Sequence, residues 1–244
     1  MRVGMFFGSV FMLIATALII LLLLIVVPST EPTDNDEMET MSFTLGRGSL
    51  DFDIRMGDLE GYTQSSVLRF GGAELIGYRY YTPEDHTLIR LVDAIIEKTG
   101  HTSGYALAET LLEFVQDNVR YVEDEGVLDH YQFPLETLYY GQGDCEDHAC
   151  LLATLYGIAG IDSVLINEPG HVTVGVDTTA KGESVTKFGS DTEYYLAEAT
   201  GFSDIGRGDL GDNFTFPPYT SLFLLGTLLA MLGVFLVSIW MVRQ

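Results

Sequence analysis

Residues 141–156 read GQGDCEDHACLLATLY, and this stretch decides the fold of the chain. A glycine-rich turn leads through Asp144 into Cys145, and a strongly apolar run follows at once. That order predicts a buried helix with a cysteine on its first turn. The unpaired N–H groups and the positive end of the helix dipole favour a thiolate there. Because the thiolate is the nucleophilic form, the sequence predicts a nucleophile at Cys145.

The two cysteines of the chain have different surroundings. A free cysteine is often a small core hydrophobe, and Cys150 fits that description because Ala149 and Leu151 flank it. Cys145 has polar and turn-forming neighbours, which predicts a place at the mouth of a site. Since the two thiols lie five residues apart on one helix and point to different sides, we expect both to be free.

A histidine and a carboxylate follow in segments that read as strands. Residues 163–167 (SVLIN) and 171–177 (HVTVGVD) have strand character, and His171 opens the second. Residues 194–200 (YYLAEAT) read as a third strand with Glu198 near its end. Taken singly, either side chain reads as a surface group. Taken in order, the three groups meet at one end of a small antiparallel sheet packed on the cysteine helix, as a nucleophile, a base and its orienter require.

The segment from Tyr131 to Ala153 resembles the transglutaminase-like superfamily of cysteine enzymes, and within it the prokaryotic branch. The residues that carry the P-x-E-T-L…G-x-G-D-C-E-D form are Pro134, Glu136, Thr137, Leu138, Gly141, Gly143, Asp144, Cys145, Glu146 and Asp147. The resemblance covers residues 111–201. It implies an α+β, papain-like fold, with helices packed on a small antiparallel sheet, and a Cys-His-Asp triad. Carried to this chain, Cys145 is the nucleophile, His171 is the base, and Glu198 stands where the family usually has Asp.

Two parts of that assignment need argument. Glu198 is one methylene longer than Asp, but any carboxylate can hold a neutral histidine tautomer and stabilise the imidazolium. For the oxyanion hole, the backbone N–H of Cys145 is an obvious first donor. The alternatives for a second donor are Gln142, Gln132 and Tyr131, which the sequence does not separate.

A metal site is the main alternative reading of the cysteine segment. Its ligands would be Asp144, Cys145, Asp147 and His148. One short helical turn rarely supplies a closed zinc shell, and no second Cys/His pair at ligand spacing follows, so we expect neither metal nor cofactor. Glu146 and Asp147 read instead as helix N-terminal acids that complement the dipole. They also oppose the thiolate through like-charge repulsion.

Both ends of the chain are long and apolar. Residues 3–30 and 213–242 carry no charge, and each interval exceeds the roughly 20 residues that cross a bilayer. We expect transmembrane helices at residues 4–27 and 219–242. A cleaved signal peptide is the rival interpretation of the first segment, but it would have a shorter apolar core and a small-residue cleavage site.

The segments between these spans complete the predicted organisation. Residues 28–41 form an acidic tether, and residues 42–212 form an external domain. The terminal Arg2 and Arg243 place both tails in the cytoplasm and this domain outside the cell by the positive-inside rule.

Apolar spacing predicts two helices before the cysteine segment. The first helix begins at residues 82–85 (TPED) and runs to Gly100, and the second runs from Ser103 to near Tyr121. Residues 42–79 mix short strand-like pieces with glycines and give no clear assignment.

The predicted external domain is strongly acidic. All 35 acidic residues lie between Glu31 and Asp212, in the tether and the domain together, and 10 of the 12 basic residues lie there too, so this outer part has a net charge near −25. Such a surface repels nucleic acid and anionic headgroups. Three of its basic residues are lysines. A low lysine content together with an excess of acidic residues is typical of proteins in high-salt surroundings, and it indicates a halophilic archaeal source.

The function expected from these features is acyl transfer by a membrane-anchored cysteine enzyme through a thioester on Cys145. With water as acceptor the enzyme would hydrolyse peptide or amide bonds; with an amine it would crosslink proteins. The competing class is a non-catalytic surface module of the same fold. The expected partners are a protein or peptide substrate at the cell surface and the lipid bilayer, through the two terminal helices.

Overall fold

The structure, a computed structural model, describes residues 32–65, 81–124, 130–186, 191–208 and 214–215. All of them belong to one compact unit. The expected spans at residues 4–27 and 219–242 lie outside the described residues. Within the described ranges, no helix combines the length and the apolar character that crossing a membrane requires.

The N-terminal part of this unit is a β-hairpin that the sequence left unassigned. Strands β1 (Met38–Leu45) and β2 (Gly48–Arg55) pair antiparallel along their whole length. Alternate residues of β2 are buried, as expected for a sheet with one face on the core. The tether predicted at residues 28–41 is therefore too long, because its last four residues are strand residues held by cross-strand pairing. Farther back in the same segment, the Thr33 hydroxyl donates to Glu60 Oε2 at 2.6 Å.

The described residues after the hairpin form the helices α1 (Met56–Thr63), α2 (His86–Thr99) and α3 (Gly104–Asn118). The structure confirms the two helices predicted from the TPED and Ser103 starts. Asp85 caps α2 by accepting from the Leu88 N–H at 2.7 Å, and Gly100 ends it with φ 73°, a left-handed conformation that favours glycine.

The cysteine segment forms the central helix of the unit, α5 (Cys145–Ile158). It follows α4 (Pro134–Tyr140) and a short parallel pairing of β3 (Arg120–Tyr121) with β4 (Gln142–Gly143). Every residue from Cys145 to Tyr156 is buried. A helix that is apolar on all sides must be surrounded, and α5 contacts α2, α3, α4 and two strands of the sheet described next.

The sheet contains β5 (Ser163–Glu168), β6 (His171–Val176), β7 (Ser184–Thr186) and β8 (Glu193–Ala197), in the order β5-β6-β8-β7. All of its pairings are antiparallel. The α+β class with helices packed on a small antiparallel sheet is confirmed, and the three predicted strands are present. Helix α5 contacts β5 and β6, and β6 begins with His171. The helix therefore packs on the half of the sheet that contains this histidine.

Candidate active site

The glycine turn before Cys145 is shaped by close packing. Gly141 ends α4 with φ 60° and donates its N–H to the Thr137 carbonyl at 3.0 Å. A Cβ at Gly143 would lie 2.6 Å from the Cβ of Asp147, so any larger residue would displace the first turn of α5. Gly141 therefore allows the chain to turn after α4, and Gly143 allows it to pass close to the first turn of α5. Together they place Cys145 at the first position of α5.

Cys145 is more enclosed than its polar neighbours predict. Its relative exposure is 9%, and its Sγ donates a hydrogen bond to Glu146 Oε2 at 3.0 Å. Burial raises the pKa of the thiol, and the negative charge and hydrogen bond of Glu146 raise it further. A backbone hydrogen bond from Val172 acts in the opposite direction. The expectation that the helix start favours the thiolate is thus wrong for the resting site, because desolvation and an adjacent carboxylate outweigh the dipole.

The acids around the thiol form a buried cluster. Burial, followed by the charge of Glu146, raises the pKa of Asp144 to about 9. Burial also raises the pKa of Asp147 to about 8, with the charge of Glu146 contributing. These shifts follow from placing several carboxylates together away from water. Asp144 and Asp147 therefore hold their protons to higher pH than free carboxyl groups do.

Among the residues that the structure describes, Asp144, Cys145 and Glu146 could together hold a cation, because their ligand atoms lie within 4.8 Å of one another. His148 does not join them. Its Nδ1 lies 2.6 Å from the Asp144 carbonyl oxygen, and its Nε2 lies 3.1 Å from that of Val119. Both ring nitrogens are thereby engaged with the backbone, which fastens the start of α5 to the segment that enters β3.

His171 and Glu198 are hydrogen-bonded to each other. His171 Nε2 lies 2.7 Å from Glu198 Oε2. The antiparallel register sets this up: Val174 pairs with Ala197, so the start of β6 lies beside the residues that follow β8. The longer Glu side chain therefore reaches the imidazole directly. Because a carboxylate only accepts, the neutral ring carries its proton on Nε2 and leaves Nδ1 as the basic nitrogen.

The pKa values of this pair move in opposite directions. The hydrogen bond to Glu198 raises the pKa of His171, although burial works against the rise. Burial alone would raise the pKa of Glu198, but hydrogen bonds from His171 and Thr200 lower it overall. The Thr200 N–H and hydroxyl donate to Glu198 Oε1 at 3.0 and 2.5 Å. The carboxylate is thus fixed on both oxygens, one of them towards the imidazole.

Two supporting residues were not predicted from the sequence. The side-chain amide of Gln116, on α3, donates to the carbonyl oxygens of Glu198 and Ser203 at 2.8 and 3.0 Å, which anchors the segment after β8. Its position 82 residues before Glu198 gives no sequence signal. The role of Thr200 could have been predicted from the sequence, because a hydroxyl two residues after an acid is a local hydrogen-bonding pattern.

The three candidates for a second oxyanion donor have different surroundings. The Gln132 side-chain amide donates to Asp147 Oδ2 at 3.1 Å and to the Gln142 carbonyl at 3.2 Å, so both of its N–H bonds are occupied. Tyr131 is 2% exposed. Gln142 is exposed, and its Oε1 accepts from Arg120 at 2.9 Å, which leaves its amide nitrogen the most accessible of the three groups.

A cavity of about 490 Å³ lies next to this region. Its described lining residues are Thr63, His130, Gln132, Glu136, Tyr140 and Gln142. Gln132 connects this cavity to the start of α5, because its backbone N–H donates to Asp147 Oδ1 at 2.8 Å. The cavity thus borders the cysteine turn through two of the residues proposed for oxyanion binding, while Cys145 itself is not among the described lining residues.

Comparison with known families agrees with this geometry. Residues 90–196 match the family model of the transglutaminase-like superfamily, a range that contains Cys145 and His171 and ends just before Glu198. Neither the curated proteins nor the solved structures compared with the chain gave a match. Members of the superfamily are usually cysteine-based enzymes. Residues 90–196 of this chain therefore form a transglutaminase-like superfamily domain.

Proposed function

We propose that this protein is a membrane-anchored cysteine enzyme that transfers acyl groups through a thioester on Cys145. The observation that carries the proposal is the His171–Glu198 hydrogen bond of 2.7 Å at the start of β6. The next residue, Val172, contacts the thiol through its backbone. The imidazole of His171 thus lies on the strand that contacts the buried thiol, and a carboxylate orients it. Cysteine nucleophiles use this arrangement of thiol, base and orienting group.

The proposed reaction proceeds in two halves. Nδ1 of His171 takes the thiol proton as Sγ attacks the carbonyl carbon of an amide, and Glu198 stabilises the imidazolium that forms. The imidazolium then gives its proton to the leaving nitrogen, the C–N bond breaks, and a thioester remains. In the second half, an acceptor attacks the thioester carbon, loses its proton to His171, and the sulfur leaves and is reprotonated.

The acceptor decides the class of reaction. Water gives hydrolysis of a peptide or amide, and a primary amine gives a crosslink. We favour hydrolysis because water is far more abundant than any amine acceptor. The domain carries an excess of acids and few lysines, which favours a protein or peptide substrate over nucleic acid.

The location belongs to the same proposal. The charge-free intervals at both ends support two membrane spans, and the terminal arginines support cytoplasmic tails with the catalytic domain outside the cell. The substrate would then be a protein or peptide at the cell surface.

Labelling and turnover together test the proposal on the full-length protein. Iodoacetamide should modify Cys145, as located by peptide mass spectrometry, and Cys145→Ala should lose this label. Cys150→Ala is the matched control on the same helix, and this variant should keep the label on Cys145. A peptide mixture, incubated with and without a fluorescent primary amine, should show cleavage or amine incorporation that Cys145→Ala and His171→Ala abolish. Turnover that persists without Cys145 would refute the mechanism. Labelling with no acyl transfer would instead favour a non-catalytic module.

A further inference from the structure

The thiol of Cys145 donates its hydrogen bond to a residue outside the proposed triad of Cys145, His171 and Glu198. The sulfur donates to Glu146 Oε2 at 3.0 Å, and Glu146 is only 6% exposed. An ionised carboxylate can only accept hydrogen bonds, so the proton in this contact lies on sulfur. This contact therefore stabilises S–H beside the carboxylate, and it disfavours a thiolate held next to a negative charge in a site with little water.

The charged and titratable groups that face this pair come from three parts of the fold. On α5 they are Asp144, which is hydrogen-bonded to Glu146, and Asp147. From β3 and the segment after it come Tyr121 and Asp124. From β6 comes His171, the one member of the set that can carry a positive charge, and Glu146 lies near enough to influence it.

We propose that Glu146 is a further catalytic group, which retains the proton of the resting Cys145 thiol and keeps the nucleophile dormant until His171 removes that proton. The inference rests on the proposed function, since it treats Cys145 as the nucleophile. In the resting site the proton stays on sulfur and is shared with Glu146 Oε2. In turnover it passes to Nδ1 of His171 and from there to the leaving nitrogen, and a proton that His171 takes from the acceptor restores the thiol when the sulfur leaves the acyl group.

A second role is open to the same carboxylate and makes the opposite prediction. If Glu146 were the base that removes the proton, neutralising it would slow every reaction of the thiol. If Glu146 retains the proton, neutralising it should make the resting thiol more reactive. The rate at which a small alkylating reagent modifies Cys145 separates these roles without any substrate.

The experiment measures iodoacetamide alkylation of Cys145 across pH in the full-length protein. Glu146→Gln keeps the size of the side chain and removes the charge. At pH 7 its alkylation rate should rise roughly tenfold, which is the effect of lowering the thiol pKa by one unit, and the pH profile should move to lower pH.

Asp147→Asn is the matched control. It removes the ionisable group of another buried acid of the cluster, whose oxygens accept from Gln132, and its alkylation rate should stay within about threefold of wild type. An unchanged or slower rate in Glu146→Gln would overturn the proposal, and so would an equal rise in both variants.

Glu146→Asp covers the case in which Glu146→Gln does not fold, as judged by circular dichroism. It keeps the charge but withdraws the carboxylate by one methylene, so the alkylation rate should still rise above wild type; no rise would overturn the proposal. Because alkylation needs no turnover, a failure of the acyl-transfer assay with a rise in Glu146→Gln would overturn the function and leave the proton-retaining contact standing.

Discussion

Replacing Glu198 with Gln tests whether the carboxylate orients the histidine. The substitution keeps the length of the side chain and its ability to accept from Thr200, but removes the charge that lies 2.7 Å from His171 Nε2. We expect the pKa of His171 to fall, because its largest raising influence is the hydrogen bond to Glu198.

The size of the effect follows from the exposure of the pair. A hydrogen bond to a charged group contributes about 1.5–3 kcal/mol. The side chains of His171 and Glu198 are 35% and 20% exposed, so solvent screening reduces the contribution. We expect about 1 kcal/mol after that reduction. This corresponds to a fall of somewhat under one unit in the pKa of His171 and to a loss of about 1 kcal/mol in the free energy of unfolding.

The pH dependence has a defined sign. The folded-state pKa of His171 is raised, so its contribution to stability is fully present below the ordinary histidine value and is lost as pH rises through the raised pKa. The folded-state pKa of Glu198 is lowered, so its contribution is present above the ordinary carboxyl value and is lost as pH falls through the lowered pKa. The stability difference between wild type and variant should therefore be largest between about pH 5 and pH 6.5 and shrink on both sides.

Three measurements check this expectation. NMR of the ring C–H protons gives the pKa of His171, and urea denaturation at several pH values gives the free energy of unfolding. The turnover rate is measured on the peptides that the wild-type protein processes in the peptide mixture described above. Turnover should fall at least about 100-fold, far more than the loss of stability explains, if the carboxylate orients the imidazole. Glu193→Gln is the matched control. That exposed acid at the start of β8 accepts from Ser184 and Tyr195, so its loss should leave turnover unchanged. A fallen His171 pKa with turnover within threefold of wild type would refute the orienting role.

The remaining predictions concern location, salt and stability. An impermeant thiol reagent or a protease applied to intact cells should reach residues 42–212, and protection until lysis would contradict the proposed topology. The melting temperature should rise steeply from low to molar salt, where the Debye length shrinks to about 3 Å and the repulsion among acids is screened; a flat response would remove the halophilic interpretation. Asp85→Ala should cost about 2 kcal/mol in chemical denaturation, because the buried Asp85 caps α2 and accepts from the Tyr62 hydroxyl at 2.7 Å. The exposed Asp93→Ala on the same helix should cost little, and equal losses would contradict the capping role.

The elements that the sequence predicted well are those specified by neighbours in the chain. Helix α2 has its cap at Asp85 and its stop at Gly100, both readable as local signals. Strand β6 and the cysteine helix were equally clear, since each has a continuous apolar pattern. The hairpin β1–β2 was missed because its strands alternate around polar and acidic residues, and its stability comes from cross-strand pairs and a buried face that a single pass along the chain does not reveal.

The sequence by itself determined that Cys145 begins a buried helix, that His171 begins a strand, and that a carboxylate follows the last strand of the sheet. Those are consequences of residue order and apolar period, which act over a few positions. Only the tertiary structure decided the state of the thiol. Burial under the sheet and contact with Glu146 outweigh the helix dipole, because desolvation and short-range charge depend on what surrounds an atom in space. For the same reason, only the antiparallel register of β6 and β8 could bring Glu198 within hydrogen-bonding distance of His171.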